Sequence, residues 1–250
     1  MDILGVIPAR FSSTRFPGKP LVEILGISLI ERVWKQCIKA VDQKKIYIAT
    51  DNDKIFEHVQ GFGGQAIMTS TACLTGTDRV YEAACQLGLS NVINIQGDEP
   101  LIEPKDITLF IDKMETFPDK VFNGMSRISD EEEYRSTTVP KVVARPDGRL
   151  MYMSRAAIPT NKNLEFCTAY KQVCIYAFPV AKLSEFVKEG IKTPIEESVF
   201  LNELDSIYFS WETLNVNQYL LDFSSDSDDV ISLSLKPFLI FLINLLFHAA

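Results

Sequence analysis

The chain alternates short apolar runs with segments whose apolar residues recur at helical spacing. Ile3–Ile7 is apolar except for Gly5 and reads as a buried first strand. Leu29, Ile30, Val33, Trp34, Cys37, Ile38 and Val41 then fall on one side of a 3.6-residue period, which predicts an amphipathic helix. Ser28 and Glu31 stand at its start with the spacing of a capping box. Ile46–Ala49 is a second strand ending in Thr50-Asp51. Ile55–Val59 is a short helix halted by Gly61-Phe62-Gly63-Gly64, and Ala66–Met68 a third strand. Val80–Leu87 and Ile107–Met114 read as helices, the second entered through Pro104, with the strand Val92–Ile95 between them. This rhythm predicts an α/β fold: a doubly wound, mostly parallel central sheet with right-handed crossovers and helices on both faces.

After about residue 120 the rhythm changes. Lys141–Ala144, Met151–Ser154 and Val173–Phe178 read as strands, separated by turns such as Pro146-Asp147-Gly148. They are expected to be extra, partly antiparallel strands that build a small mixed lobe on the same sheet. The chain is thus expected to be one domain, with residues 1–120 as its first half, a substrate lobe over 121–198 and an atypical C-terminal segment over 199–250. That last segment holds the acidic patch Ser224–Asp229 and the apolar run Phe238–Phe247, interrupted by Asn244. A bilayer span takes about 20 residues, so the run is too short to cross one. It fits a buried or dimer-packing helix, an irregular end, or a membrane contact, the last being disfavoured.

Charge sharpens this picture. The net charge of −8 and pI near 4.9 argue against a nucleic-acid binder. They also make a cluster of cations in 10–19 conspicuous. The 46% apolar content of 250 residues is enough for one substantial core. Five cysteines are scattered without a CxxC pair, so a reduced, cytoplasmic protein with free thiols is expected. Asp2 directly precedes the first strand, and no secretory leader is expected. His58 and His248 are both remote from the motifs below, which disfavours a histidine triad, zinc site or general base.

Four constellations carry chemistry. The first is the loop after the first strand, Ile7-Pro-Ala-Arg-Phe-Ser-Ser-Thr-Arg-Phe-Pro-Gly-Lys-Pro-Leu21, where Arg10, Arg15 and Lys19 lie among Ser12, Ser13, Thr14 and Gly18. Open α/β sheets place ligands at such strand ends, free amides and fixed cations suit a polyphosphate, and no Walker pattern is present. The second is Gln96-Gly97-Asp98-Glu99-Pro100, directly after a strand, where Asp98 is a sensible Mg²⁺ ligand. The third is Thr75-Gly76-Thr77-Asp78-Arg79 at a helix start, suited to anions or to polar recognition. There Asp78 can equally be a first-turn carboxylate. The fourth is Ser154-Arg155 with Tyr170-Lys171-Gln172-Val173-Cys174-Ile175-Tyr176, in which Arg155 can pair with a carboxylate. Lys141 is either a surface or a site residue.

Taken in order, these motifs resemble the 3-deoxy-manno-octulosonate (Kdo) cytidylyltransferases, or CMP-Kdo synthetases. The matching stretches are IPARFSSTRFPGKPL, ATDND, FGG, MTS, GTDR, NIQGDEPLI, PKVV, YMSRAAIP, YKQVCIYAF and KTPIEE, which extend from residue 3 to about 198. The resemblance implies a Rossmann-like nucleotidyltransferase fold with a nucleotide-binding half (1–120) and a sugar-binding and dimerisation lobe (121–198), a homodimer, and Mg²⁺-dependent transfer of CMP from CTP to the anomeric hydroxyl of Kdo with release of pyrophosphate. The product would serve lipopolysaccharide or capsule synthesis. A related acid sugar (8-amino-Kdo or an acylneuraminate) is the alternative acceptor, and a non-catalytic CTP-binding relative the alternative class.

The resemblance also assigns roles. Arg10 and Lys19 hold the triphosphate with Arg15 in support. Asp98 binds Mg²⁺, and Arg79 and Gln96 serve the cytosine and ribose. Arg155, Gln172 and Tyr176 line the sugar pocket, with Arg155 the partner of the acid sugar's carboxylate. The chain departs from the pattern in three places, and its terminal apolar run has no counterpart in the family. Gln172 stands where many members carry His. Asn202-Glu203 replaces an expected Glu-Gln step. The late segment supplying a second metal carboxylate is matched only by Ser225–Val230, making Asp226 its candidate.

Overall fold

The computed structural model describes residues 3–12, 16–188 and 204–209. Asp226, Arg15, the acidic patch, the Asn202-Glu203 step and the apolar run lie outside them.

The nucleotide half follows the pattern of apolar positions closely. β1 (Ile3–Ala9), β4 (Ile46–Thr50), β5 (Gln65–Met68) and β6 (Asn91–Ile95) are mutually parallel. They are connected through α1 (Leu29–Ala40), α2 (Asp53–Gly61) and α3 (Gly76–Gln86). A two-residue hairpin pair, β2 (Glu23–Ile24) and β3 (Ile27–Ser28), precedes α1. After β6 come α4 (Pro104–Thr116), β7 (Val121–Arg127), the short α5 (Glu131–Arg135), β8 (Lys141–Ala144), β9 (Leu150–Ser154), β10 (Tyr170–Pro179), α6 (Val180–Lys188) and β11 (Leu204–Phe209).

Among the described residues the main sheet has nine strands, in the order β11-β7-β10-β6-β1-β4-β5, with the β8–β9 ribbon branching from β10. β10 runs antiparallel to β6, β7 and β8, so the lobe strands extend the parallel sheet as expected. One core packs α1, α2 and α4 against the sheet through Ile30, Val33, Ile55, Val59, Ile107 and Phe110. The other packs α3 and α6 through Val80, Ala83, Ala84 and Leu183 against Val6, Val92 and Phe178. No helix of the described residues is long and apolar enough to cross a membrane.

Two local expectations change. The capping box at α1 is only half formed. Ser28 Oγ accepts from the Glu31 amide at 3.3 Å, but the Glu31 carboxylate turns to Lys35 at 3.0 Å and Ser28 Oγ also meets His58 Nε2 at 2.7 Å. The complete box is at α3, where the Thr75 amide donates to Asp78 Oδ2 at 2.7 Å and the Asp78 amide to Thr75 Oγ1 at 3.2 Å. Asp78 is therefore occupied in holding a helix start. β7 was not expected as a strand, because Asn123, Gly124 and Ser126 interrupt its apolar run even though its first six residues are buried.

Candidate active site

The sheet reverses its winding direction between β1 and β6, and the loops leaving their C-terminal ends frame a crevice there. The loop after β1 is shaped by Gly18. Its amide donates to the Phe11 carbonyl at 2.9 Å, and its φ of +74° falls where an L side chain is strained. Phe11 packs on the core and lies under the Lys54 ammonium. The loop is pinned at its base, with exposed Arg10 on one side and Lys19 on the other.

The loop after β6 is drawn against β1. A Cβ on Gly97 would lie 2.9 Å from the Pro8 carbonyl oxygen, so only glycine lets the two backbones approach this closely. On the other side of β1, Gly76 places the start of α3 over the Pro8 ring. Pro8 is thus the point on which the first three constellations converge.

The consequence is a long-range ion pair. Lys19 Nζ lies 2.7 Å from Asp98 Oδ2, across 79 residues of sequence. Glu99 is next to it, and burial, with Asp98 second, pushes its carboxyl up to about 7, while Lys19 and Lys171 pull it back. Gln96 is half-buried at the start of the turn, its carbonyl accepting from the Glu99 amide at 3.3 Å.

Arg79, expected to serve the cytosine and ribose, is buried. It is 2% exposed, and its terminal nitrogens donate to Asp51 Oδ2 at 2.7 Å and to Thr69 Oγ1. This buried fork ties α3 to the ends of β4 and β5. It organises the rim from behind, and Asp51, in the ATDND stretch, is a structural partner that sequence reasoning passed over.

The lobe supplies a second cluster. Gln172 donates its side-chain amide to the Tyr176 hydroxyl, four residues along β10. Cys174 also hydrogen-bonds Tyr176, and burial, chiefly, raises its thiol to about 12. Burial, with Cys174 second, also raises the Tyr176 phenol well above its ordinary range. A register shift between Val173 and Tyr176 against β7 bulges the strand at these residues. Glu99 is felt electrostatically by both Cys174 and Tyr176, which links this cluster to Asp98 and Lys19.

Arg155 is exposed and tethered, its Nη1 donating to the Thr137 and Thr138 carbonyls at 3.0 Å each. Lys141 is buried, and its Nζ donates to the flanking Ser136 and Val139 carbonyls, both at 2.7 Å. Four consecutive carbonyls therefore hold two cations. Desolvation, with Arg155 second, lowers the Lys141 ammonium below its usual range.

Comparison with known proteins meets the same frame. The cytidylyltransferase family model matches residues 4–214. The chain belongs to that family. A 3-deoxy-manno-octulosonate cytidylyltransferase of Desulfosudis oleivorans is 40% identical over 213 residues, 82% of this chain and 86% of the relative. An 8-amino-3,8-dideoxy-manno-octulosonate cytidylyltransferase of Shewanella piezotolerans is 37% identical over 214 residues, 83% of this chain and 85% of the relative. Among solved structures, a CMP:2-keto-3-deoxy-manno-octonic acid synthetase complexed with CTP superimposes with a TM-score of 0.76 at 29% identity, covering 90% of this chain and 98% of the other. The CMP-Kdo synthetase resemblance and the nucleotidyltransferase class are thereby established for this cytidylyltransferase. The Rossmann-like fold follows from the same superposition.

Proposed function

We propose that this cytidylyltransferase transfers CMP from CTP to the anomeric hydroxyl of Kdo and releases pyrophosphate. The observation that carries the reading is the meeting of Lys19 and Asp98 at the sheet's switch point. It places a phosphate-type cation and a carboxylate in one crevice, with the sugar-side cluster reached through Glu99.

Arg10 and Lys19 hold the triphosphate and offset the charge that develops as the bond to the α-phosphorus changes partners. Arg15 belongs to the same loop. Gln96 and the start of α3 border the nucleoside, with Arg79 fixing that border through Asp51 and Thr69. On the lobe side, the tether on Nη1 of Arg155 fixes its guanidinium, a fork suited to the carboxylate of an acid sugar. Gln172 and Tyr176 present amide and phenol groups to sugar hydroxyls. Gln172 accepts and donates hydrogen bonds but moves no proton, so proton transfer from the sugar hydroxyl does not rest on it.

The residues present fit Mg²⁺. Asp98 is a hard oxygen donor with a 44% exposed side chain facing a phosphate-binding loop, and this metal takes one or two carboxylates with phosphate oxygens and waters. Asp98 would hold it, with Asp226 the proposed second carboxylate. When bound, the ion would lower the pKa of the attacking hydroxyl and neutralise phosphate charge. We further propose a homodimer acting in the cytoplasm, with the product entering lipopolysaccharide or capsule synthesis.

The 8-amino sugar is a second acceptor reading, supported by relatives of that name at comparable identity. Mass analysis of the product formed from CTP with each sugar tests both. A CMP-Kdo mass from Kdo supports the first reading, and a product from the amino sugar alone selects the second.

A further inference from the structure

Three strands place a polar row across the sheet directly below the lobe cluster. Tyr176 of β10 pairs with Asn94 of β6 on one side and with Asn123 of β7 on the other. Paired residues project from the same face, so the three side chains form one layer. One step deeper, Phe178 pairs with Val92 and packs with Val121 in an apolar layer. One step toward the rim lie Cys174 and Gln172. The row thus separates the apolar core from the lobe cluster at the rim.

Both asparagines are 0% exposed. Asn123 donates its side-chain amide to the Gly124 carbonyl at 2.8 Å, but its Oδ1 meets no partner among the described residues. Neither polar atom of the Asn94 amide does. A buried amide without partners costs stability, and an apolar side chain of similar size would be preferred for folding alone. Ordered internal water is the usual partner of such groups in folded proteins.

Building on the proposed function, we propose that Asn94 and Asn123 are positioning residues for the acceptor sugar. They hold ordered water on either side of the Tyr176 ring. Phe178 stacks on that ring with centroids 5.9 Å apart, and Gln172 and Cys174 fix its hydroxyl. The wet layer completes the enclosure, so that the phenol meets the sugar in one orientation.

The test is Asn94→Leu in the full chain, with steady-state kinetics and thermal unfolding side by side. The expected result is an unchanged or higher melting temperature, an acceptor-sugar KM raised about tenfold, and a CTP KM within twofold of the parent. A purely structural asparagine would lower the melting temperature and affect both substrates together, which overturns the proposal. So does an acceptor KM within twofold of the parent. If Asn94→Leu does not fold, the structural role is favoured, and Asn123→Leu, read by the same criteria, must also fail to separate the two KM values for the proposal to fall. Density for water bonded to both amides in a crystal of the parental protein is a readout independent of turnover, and its absence contradicts the proposal even if the enzyme makes CMP-Kdo. A parental protein inactive with every acid sugar would instead reject the proposed function.

Discussion

Lys19 Nζ and Asp98 Oδ2 are 2.7 Å apart, although the two residues belong to different loops and to strands that are neighbours only in space. The contact makes one crevice of two motifs that are individually weak. Asp98 is more than a third exposed, and exposed pairs contribute only about 0–1 kcal/mol. Its value to folding is therefore small. Asp98→Asn should leave urea unfolding nearly unchanged and lower turnover on the order of 100-fold, the scale of losing one preorganised electrostatic partner. Turnover within twofold of the parent would remove Asp98 from the proposed metal role. Lys19→Ala should raise the CTP KM more than that of the acceptor.

Gly97 allows that crevice to close. A methyl group there would sit 2.9 Å from the Pro8 carbonyl oxygen, a backbone atom that cannot swing aside. Gly97→Ala should cost about 1–3 kcal/mol, as overpacking does, and displace Asp98 from Lys19. Chemical denaturation with a parallel turnover assay checks this. Unchanged values in both would mean that the two loops tolerate a wider separation.

Arg79 and Asp51 are the opposite case, an ion pair with side chains only 3% and 16% exposed. Removing one partner of a buried pair typically costs about 3–5 kcal/mol, because the other charge is left unpaired. Arg79→Ala should therefore show a large drop in stability, measured by urea unfolding. Intact stability combined with a selective rise in CTP KM would instead return Arg79 to direct nucleotide contact.

Glu99 gives the fold a pH dependence. Its carboxyl is raised from an ordinary 4.5 to about 7, mainly by burial. Between those values the folded state holds a proton that the unfolded state has released. This contribution to stability is fully present below pH 4.5 and is lost as pH rises through about 7. Glu99→Gln should remove that loss, and its stability advantage over the parent should grow from pH 5 to pH 8, reaching at most ~3 kcal/mol. Melting temperatures across that range measure it. A constant difference between the two proteins would show that Glu99 titrates normally.

Much of this was legible in the sequence. Apolar spacing located β1, β4, β5 and β6 and the helices between them, because each strand is a nearly unbroken apolar run and each helix buries one stripe. The ordering of motifs located the crevice. What spacing could not show was which charges face ligand and which face each other. Asp78 and Arg79 are adjacent in a motif, yet one caps a helix and the other is buried against Asp51. Lys141 hides at a strand start because four carbonyls of one turn take up its charge and that of Arg155. β7 escaped notice because its asparagine and serine are buried. That pattern breaks the usual link between polarity and exposure: Asn123 is buried opposite Tyr176, and Ser126 opposite Lys171.

The central claim is most directly tested by pyrophosphate release from CTP, measured with Kdo present and absent, with Mg²⁺ or with a chelator, for the parent and for Asp98→Asn. The expected result is release by the parent that requires both Kdo and Mg²⁺ and that nearly vanishes in Asp98→Asn. No Kdo-dependent release at high enzyme and Mg²⁺ would contradict the account.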